Sequence, residues 1–127
     1  MALRHWYATG HTILHIDDHA GFAGIVALLL RQQGHTVLQA RDGRAALDLV
    51  DGNRPDLVLS DVRMPGVDGV AMARTLRARG HRMAVVLMSV DFTPPVDLPG
   101  VRVLPKPTDA AQLISIVGQA LAGPGSG

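Results

Sequence analysis

The chain contains no cysteine and no glutamate, and its only lysine is Lys106. The missing thiol excludes disulfides, thiol nucleophiles and cysteine-based zinc sites, and it agrees with a reducing compartment. Long apolar runs are lacking too. The apolar segments are short and interrupted by Arg, Asp, Gly or Pro, and the N-terminal MALRHWYATGH has no apolar signal core. Neither membrane insertion nor export is therefore expected, and a cytoplasmic location is. Neither sign of charge dominates: a formal net charge of +1 gives no reason to expect direct contact with nucleic acid. The six histidines, at 5, 11, 15, 19, 35 and 81, lack the paired spacing of a metal-binding helix.

What is present is enough apolar material, 47% of 127 residues, for one domain with one core. All the acids are Asp and all the bases but one are Arg. Against that arginine bias, a lone lysine between Pro105 and Pro107 suggests that a compact, flexible ammonium matters there. A chance surface lysine is the alternative.

The stretch Pro55 to Gly69, PDLVLSDVRMPGVDG, organises the rest. Leu57, Val58 and Leu59 after a proline read as a strand buried on both faces, and Pro65-Gly66 forbids its continuation. Asp61 is thereby delivered to the carboxyl end of a strand, although a turn or N-cap Asp fits this stretch alone equally well. Before it, Thr12 to Ile16 reads as a strand ending in Asp17 and Asp18. Ala20 to Gln33 reads as a helix with Phe22, Ile25, Val26 and Leu29 at helical spacing and Gly34 as its stop. Thr36 to Ala40 is a second strand, and Asp42 can cap a helix carrying Ala46, Leu49 and Val50 that Gly52-Asn53 closes.

After the central stretch, Val67 to Arg79 reads as a helix with Val70, Ala73 and Leu76 inward. Ala84 to Met88 is a strand arriving at Ser89. The segment VDFTPPVDLPG, with prolines at 94, 95 and 99, is unsuited to a regular helix. Val101 to Leu104 is a fifth strand, and Thr108 can cap a last helix with Leu113, Ile116, Val117 and Leu121 along one face. The expected organisation is a lead-in over 1–11, one domain over 12–122 and a flexible tail over 123–127. Five strands alternating with crossovers give an α/β fold, a doubly wound five-stranded parallel sheet with right-handed connections.

In such a sheet the carboxyl ends of strands 1, 3, 4 and 5 collect Asp17, Asp18, Asp61, Ser89 and Lys106. Three carboxylates in one cleft repel, which a hard oxygen-seeking cation such as Mg2+ relieves through carboxylates, a backbone carbonyl and waters. A hydroxyl and an ammonium beside them suit a phosphoryl group held on Asp61. Asp61 would attack phosphorus in line, Lys106 would pair with the phosphoryl charge and Ser89 would donate to another oxygen.

HIDD at 15–18, DVRMPGVDG at 61–69, MS at 88–89 and PKP at 105–107 resemble the receiver domains of two-component response regulators, and the resemblance covers residues 12–122. It implies the flavodoxin-like fold with strand order 2-1-3-4-5, an order expected partly by analogy with chemotaxis receivers. It implies Asp61 as phosphoacceptor, Asp18 as a Mg2+ ligand with Asp17 assisting through water, the Arg63 backbone carbonyl as a further ligand, Ser89 as the switch hydroxyl and Lys106 as the phosphate partner. The implied role is a signalling domain that catalyses its own phosphotransfer and dephosphorylation, not an enzyme proper. The donor would be a sensor or hybrid histidine kinase or a phosphotransfer protein. The output would pass by contact with a protein partner or through sequence beyond that given.

Two departures fall on the output face. The fourth helix is shortened or replaced by the Pro-rich loop, and Val103 stands where a switching Tyr or Phe is common. A displacement of Ser89 would then act on the 90–100 loop. Val90 and Arg63, flanking the site, would restrict attacking water and prolong the phosphoryl state, unless Val90 merely packs and Arg63 is solvated, which fits equally well. His15 reads as a tolerated core or edge residue, and His19 as pointing away. The apolar run Ile25 to Leu30 exceeds one helix face, which fits either a partner or dimer surface or a crowded core. Other classes fit less well. A flavodoxin-type carrier needs a small-residue phosphate loop where Asp17-Asp18-His19 stands, and a haloacid-dehalogenase-type phosphohydrolase needs an acid where Arg63 stands. A phosphorylation-independent interaction module on the same fold is the alternative that remains.

Overall fold

The apolar run after Pro55 forms the middle strand of a five-stranded sheet in the computed structural model, which describes residues 11–64, 66–90, 97–106 and 108–122. The strands are β1 (Thr12–Ile16), β2 (Thr36–Ala40), β3 (Leu57–Asp61), β4 (Ala84–Ser89) and β5 (Val101–Pro105). All pairings are parallel, in the order β2-β1-β3-β4-β5. Every residue of β3 is buried, as a central strand covered on both faces requires.

The helices described are α1 (Ala20–Gln32), α2 (Gly43–Asn53), α3 (Gly69–Ala78) and α4 (Ala110–Ala122). They divide the core in two, because side chains alternate across each strand. On one face Ile13, Leu57, Leu59, Val86 and Met88 meet Val26 and Leu30 of α1 and Leu113 and Val117 of α4. On the other, Leu14, Ile16, Val58, Val85 and Leu87 meet Ala46 and Val50 of α2 and Met72 and Leu76 of α3.

Among the described residues no helix stands between β4 and β5. Most of the Pro-rich loop, residues 91–96, lies outside the described residues, as do 1–10 of the expected lead-in and all of the tail. Its return is pinned by Arg77, whose guanidinium donates to the carbonyls of Pro99, His81 and Met83 at 3.0, 3.1 and 2.8 Å. One α3 side chain thus ties down the approach to both β4 and β5.

Several details differ from the sequence reading. The buried stripe of α1 is Ala23, Val26, Ala27 and Leu30, whereas Ile25 and Leu28 are 58% and 57% exposed. Ala23 and Ala27 share the inward stripe with Val26 and Leu30, which leaves Ile25 and Leu28 on the outer face. The third helix begins at Gly69, not Val67, with Asp68 as N-cap accepting from Ala71 N at 2.7 Å. Asp109, not Thr108, caps α4, accepting from Gln112 N at 2.8 Å. The second helix ends at Asn53, as expected, but its C-cap is Arg54, which takes the left-handed conformation (φ 48°) in place of a glycine. Asp42 caps α2 as expected.

Candidate functional site

Parallel register brings the acids to one edge. Ile16 lies opposite Ser60, so Asp17, the next residue, stands level with Asp61, which itself pairs with Met88. Hydrogen bonds continue beyond the strands and fix these ends: Asp17 N donates to Ala40 O at 3.1 Å, Val62 N to Met88 O at 2.9 Å, and Lys106 N to Ser89 O at 2.7 Å. The carbonyl of Asp61 accepts from Ser60 Oγ at 2.8 Å. Gly69 packs against that same carbonyl, so closely that a Cβ there would come within 2.3 Å of it. Only glycine lets α3 start directly behind the aspartate.

Carboxylate oxygens of Asp17, Asp18 and Asp61 all lie within 4.8 Å of one another, Asp17 and Asp61 buried and Asp18 exposed. The Lys106 ammonium sits 2.5 Å from Asp61 Oδ1 and 5.4 Å from the centre of the Phe22 ring. Burial pushes the Asp61 carboxyl above its ordinary 3.8. The Lys106 hydrogen bond opposes this, and the charge of Asp17 adds to it. Asp17 Oδ1 accepts from His19 N at 2.8 Å, but its Oδ2 is buried without a hydrogen-bond partner. A buried carboxylate oxygen without a donor, in a cluster of three acids, fits a hard divalent cation.

These groups open into a cleft of about 570 Å³ lined by Asp17, Asp18, His19, Phe22, Asp61, Val90, Lys106 and Thr108. Size does not single it out, since a cleft of about 690 Å³ lies at the opposite sheet edge among Arg77, Arg82 and Arg102. The chemistry does. Of the residues expected at the site, Asp17, Asp18, Asp61 and Lys106 are brought together. Ser89 is 4% exposed at the end of β4, joined to Lys106 through the backbone, and Arg63 is exposed two residues past Asp61.

Three participants escaped the sequence reading. His19 does not point away: its Nδ1 accepts from Phe22 N at 3.2 Å and caps α1. Phe22 and Thr108 line the cleft, and Phe22 could have been found from its place three residues after that cap. His15 is wholly buried beside Asp17, with burial holding its pKa down from 6.5 to about 4 against the pull of Asp17, and Lys106 reinforcing the effect.

Residues 13–118 match the family described as "Response regulator receiver domain". The chain belongs to that family. Among curated relatives, this receiver domain is 34% identical over 77 residues to Sporulation initiation phosphotransferase F of Bacillus subtilis (strain 168), covering 61% of this chain and 62% of that protein. It is 38% identical over 77 residues to Response regulator MprA of Mycolicibacterium vanbaalenii, covering 61% of this chain and 33% of that one. The matched region thus spans less than two thirds of both relatives' lengths. Among solved structures, the receiver domain of the hybrid histidine kinase CckA superposes with a TM-score of 0.75 at 36% identity, covering 87% of this chain and 98% of that one. A histidine kinase receiver from Syntrophus aciditrophicus reaches 0.83 at 29% identity, covering 91% and 92%. Receiver domains are signalling modules of two-component systems and generally bind Mg2+ at an acidic pocket; this one has the acidic pocket. Among the described residues no helix is long and apolar enough to cross a membrane.

Proposed function

We propose that residues 12–122 form a working receiver in which Asp61 accepts a phosphoryl group from a phosphohistidine of a sensor or hybrid histidine kinase or of a phosphotransfer protein, in a Mg2+-dependent reaction in the cytoplasm. The observation that carries this reading is the Lys106 ammonium 2.5 Å from the Asp61 carboxylate, inside a cleft where three carboxylates converge. An Asp61 oxygen attacks phosphorus as the phosphorus–nitrogen bond of the donor breaks, leaving an acyl phosphate on Asp61 and a free imidazole on the donor. Asp17, Asp18, Asp61 and the Arg63 carbonyl would hold Mg2+, which when bound supplies positive charge against the phosphoryl oxygens. Lys106 exchanges its carboxylate partner for a phosphoryl oxygen, and Ser89 supplies a hydroxyl donor to another.

The output goes to a protein partner. With Val103 half-buried on β5 in place of a ring, the displacement of Ser89 is read through the segment that follows it. Val90, 67% exposed at the cleft, shields the acyl phosphate from water, as does Arg63. The reading is tested by intact mass after incubation with a small acyl phosphate, with and without Mg2+, beside Asp61→Asn. A Mg2+-dependent phosphoryl adduct missing from the variant is expected. Folded protein that takes no adduct under any condition would overturn it.

A further inference from the structure

His15 occupies a place where a polar side chain has little reason to be. It lies in the middle of the sheet, paired with Gln39 on one side and Leu59 on the other, and is 0% exposed. Neither ring nitrogen has a hydrogen-bond partner, and the Gln39 amide nitrogen is already committed to the Ala23 carbonyl at 3.1 Å. An aliphatic side chain could be buried there without leaving polar atoms unsatisfied.

The neighbouring acid has the complementary deficit. Asp17 Oδ1 is held by His19 N, while Oδ2 is buried without a donor, and the His15 Nε2 atom lies 3.9 Å from it. That gap is about one ångström longer than a hydrogen bond. A turn of the carboxylate about its tether to His19 would be needed to close it. An imidazole carries at least one N–H, and neither nitrogen of His15 has given one elsewhere. A carboxylate oxygen can accept that N–H on one lone pair and still serve a cation or its water with the other.

We propose that His15 is a positioning residue for the acidic site: its Nε2–H donates to Asp17 Oδ2 when the site is loaded, fixing the carboxylate that helps hold the divalent cation. This rests on the metal reading above and adds a buried residue beneath Asp17 that does not itself line the cleft. Partners of this kind, one shell removed from the ion, set carboxylate orientation and thereby affinity.

The experiment titrates Mg2+ alone into the wild type, His15→Leu and His15→Gln by calorimetry, with thermal melting of each metal-free protein. The Leu variant is expected to bind Mg2+ about tenfold more weakly while melting higher without metal, since it removes the unsatisfied imidazole. The Gln variant, which keeps a donor near the Nε2 position, is expected within about threefold of the wild type. A Leu variant that binds Mg2+ as tightly as the wild type overturns the proposal and leaves His15 as core filling. A wild type that binds no Mg2+ overturns the metal reading itself. Nitrogen NMR of the Mg2+-loaded wild type decides independently of how the variants fold. A proton on Nε2 is expected, and a proton only on Nδ1 overturns the assignment.

Discussion

The burial of His15 makes the stability of the metal-free domain depend on pH in a way that one substitution removes. In the unfolded chain the imidazole takes up a proton near 6.5; folded, it does so only near about 4, because burial outweighs the attraction of Asp17 and Lys106 adds repulsion. Between those values the unfolded state binds more protons than the folded one, so stability falls as pH is lowered through the window and levels off below it. The full gap corresponds to about 3 kcal/mol, a large part of what holds a domain of this size together. Urea unfolding without Mg2+ at several pH values from about 7 to about 4 measures it, with His15→Leu alongside to subtract the carboxylates. The difference between the two proteins should shift by about 3 kcal/mol in favour of the variant as pH falls. Parallel curves would refute the reasoning and place the imidazole in water.

Gly69→Ala would put a Cβ within 2.3 Å of the Asp61 carbonyl, where only backbone can yield. A loss of about 1–3 kcal/mol in urea unfolding is expected, together with slower labelling of Asp61 by acyl phosphate. Unchanged stability would mean that α3 does not start where it is placed. Arg77→Ala removes three hydrogen bonds to carbonyls, and should cost about 1–3 kcal/mol and speed amide exchange at Val101, whose N–H lies next to the Pro99–Gly100 tether. Exchange at wild-type rates would show that the tether is dispensable. Val90→Ala should shorten the lifetime of the phosphoryl state, read as phosphate release; an unchanged rate would remove Val90 from the account of water exclusion.

Much of the fold was legible because its strands carry an unmixed signal. Leu57 to Leu59 is apolar on both faces and a Pro-Gly follows, so the strand follows from residue type, whereas the edge position of Asp61 needed the other strand ends beside it. The placement of Lys106 was legible for a different reason, as the only lysine of the chain, fixed between two prolines at the end of β5. The inward face of α1 was not. Hydrophobicity favours Ile25 over Ala23, but the helix turns Ala23 and Ala27 inward beside Val26 and Leu30, and Ile25 and Leu28 are left exposed. Caps were misassigned where two candidates adjoin: Thr108 and Asp109 are equivalent on paper, and only the backbone decides which oxygen meets Gln112 N. The burial of His15 beneath Asp17 could not be read either, since a lone histidine in a strand carries no mark of what lies one residue further along the same face.

Locating the phosphoryl group tests the central claim most directly. After incubation with acyl phosphate and Mg2+, reduction with borohydride converts an aspartyl phosphate to homoserine, and peptide mapping by mass spectrometry finds where. The account expects homoserine at position 61 and nowhere else, with none formed when Mg2+ is withheld. Homoserine at position 17 or 18, or phosphate found on Ser89 instead, would contradict it.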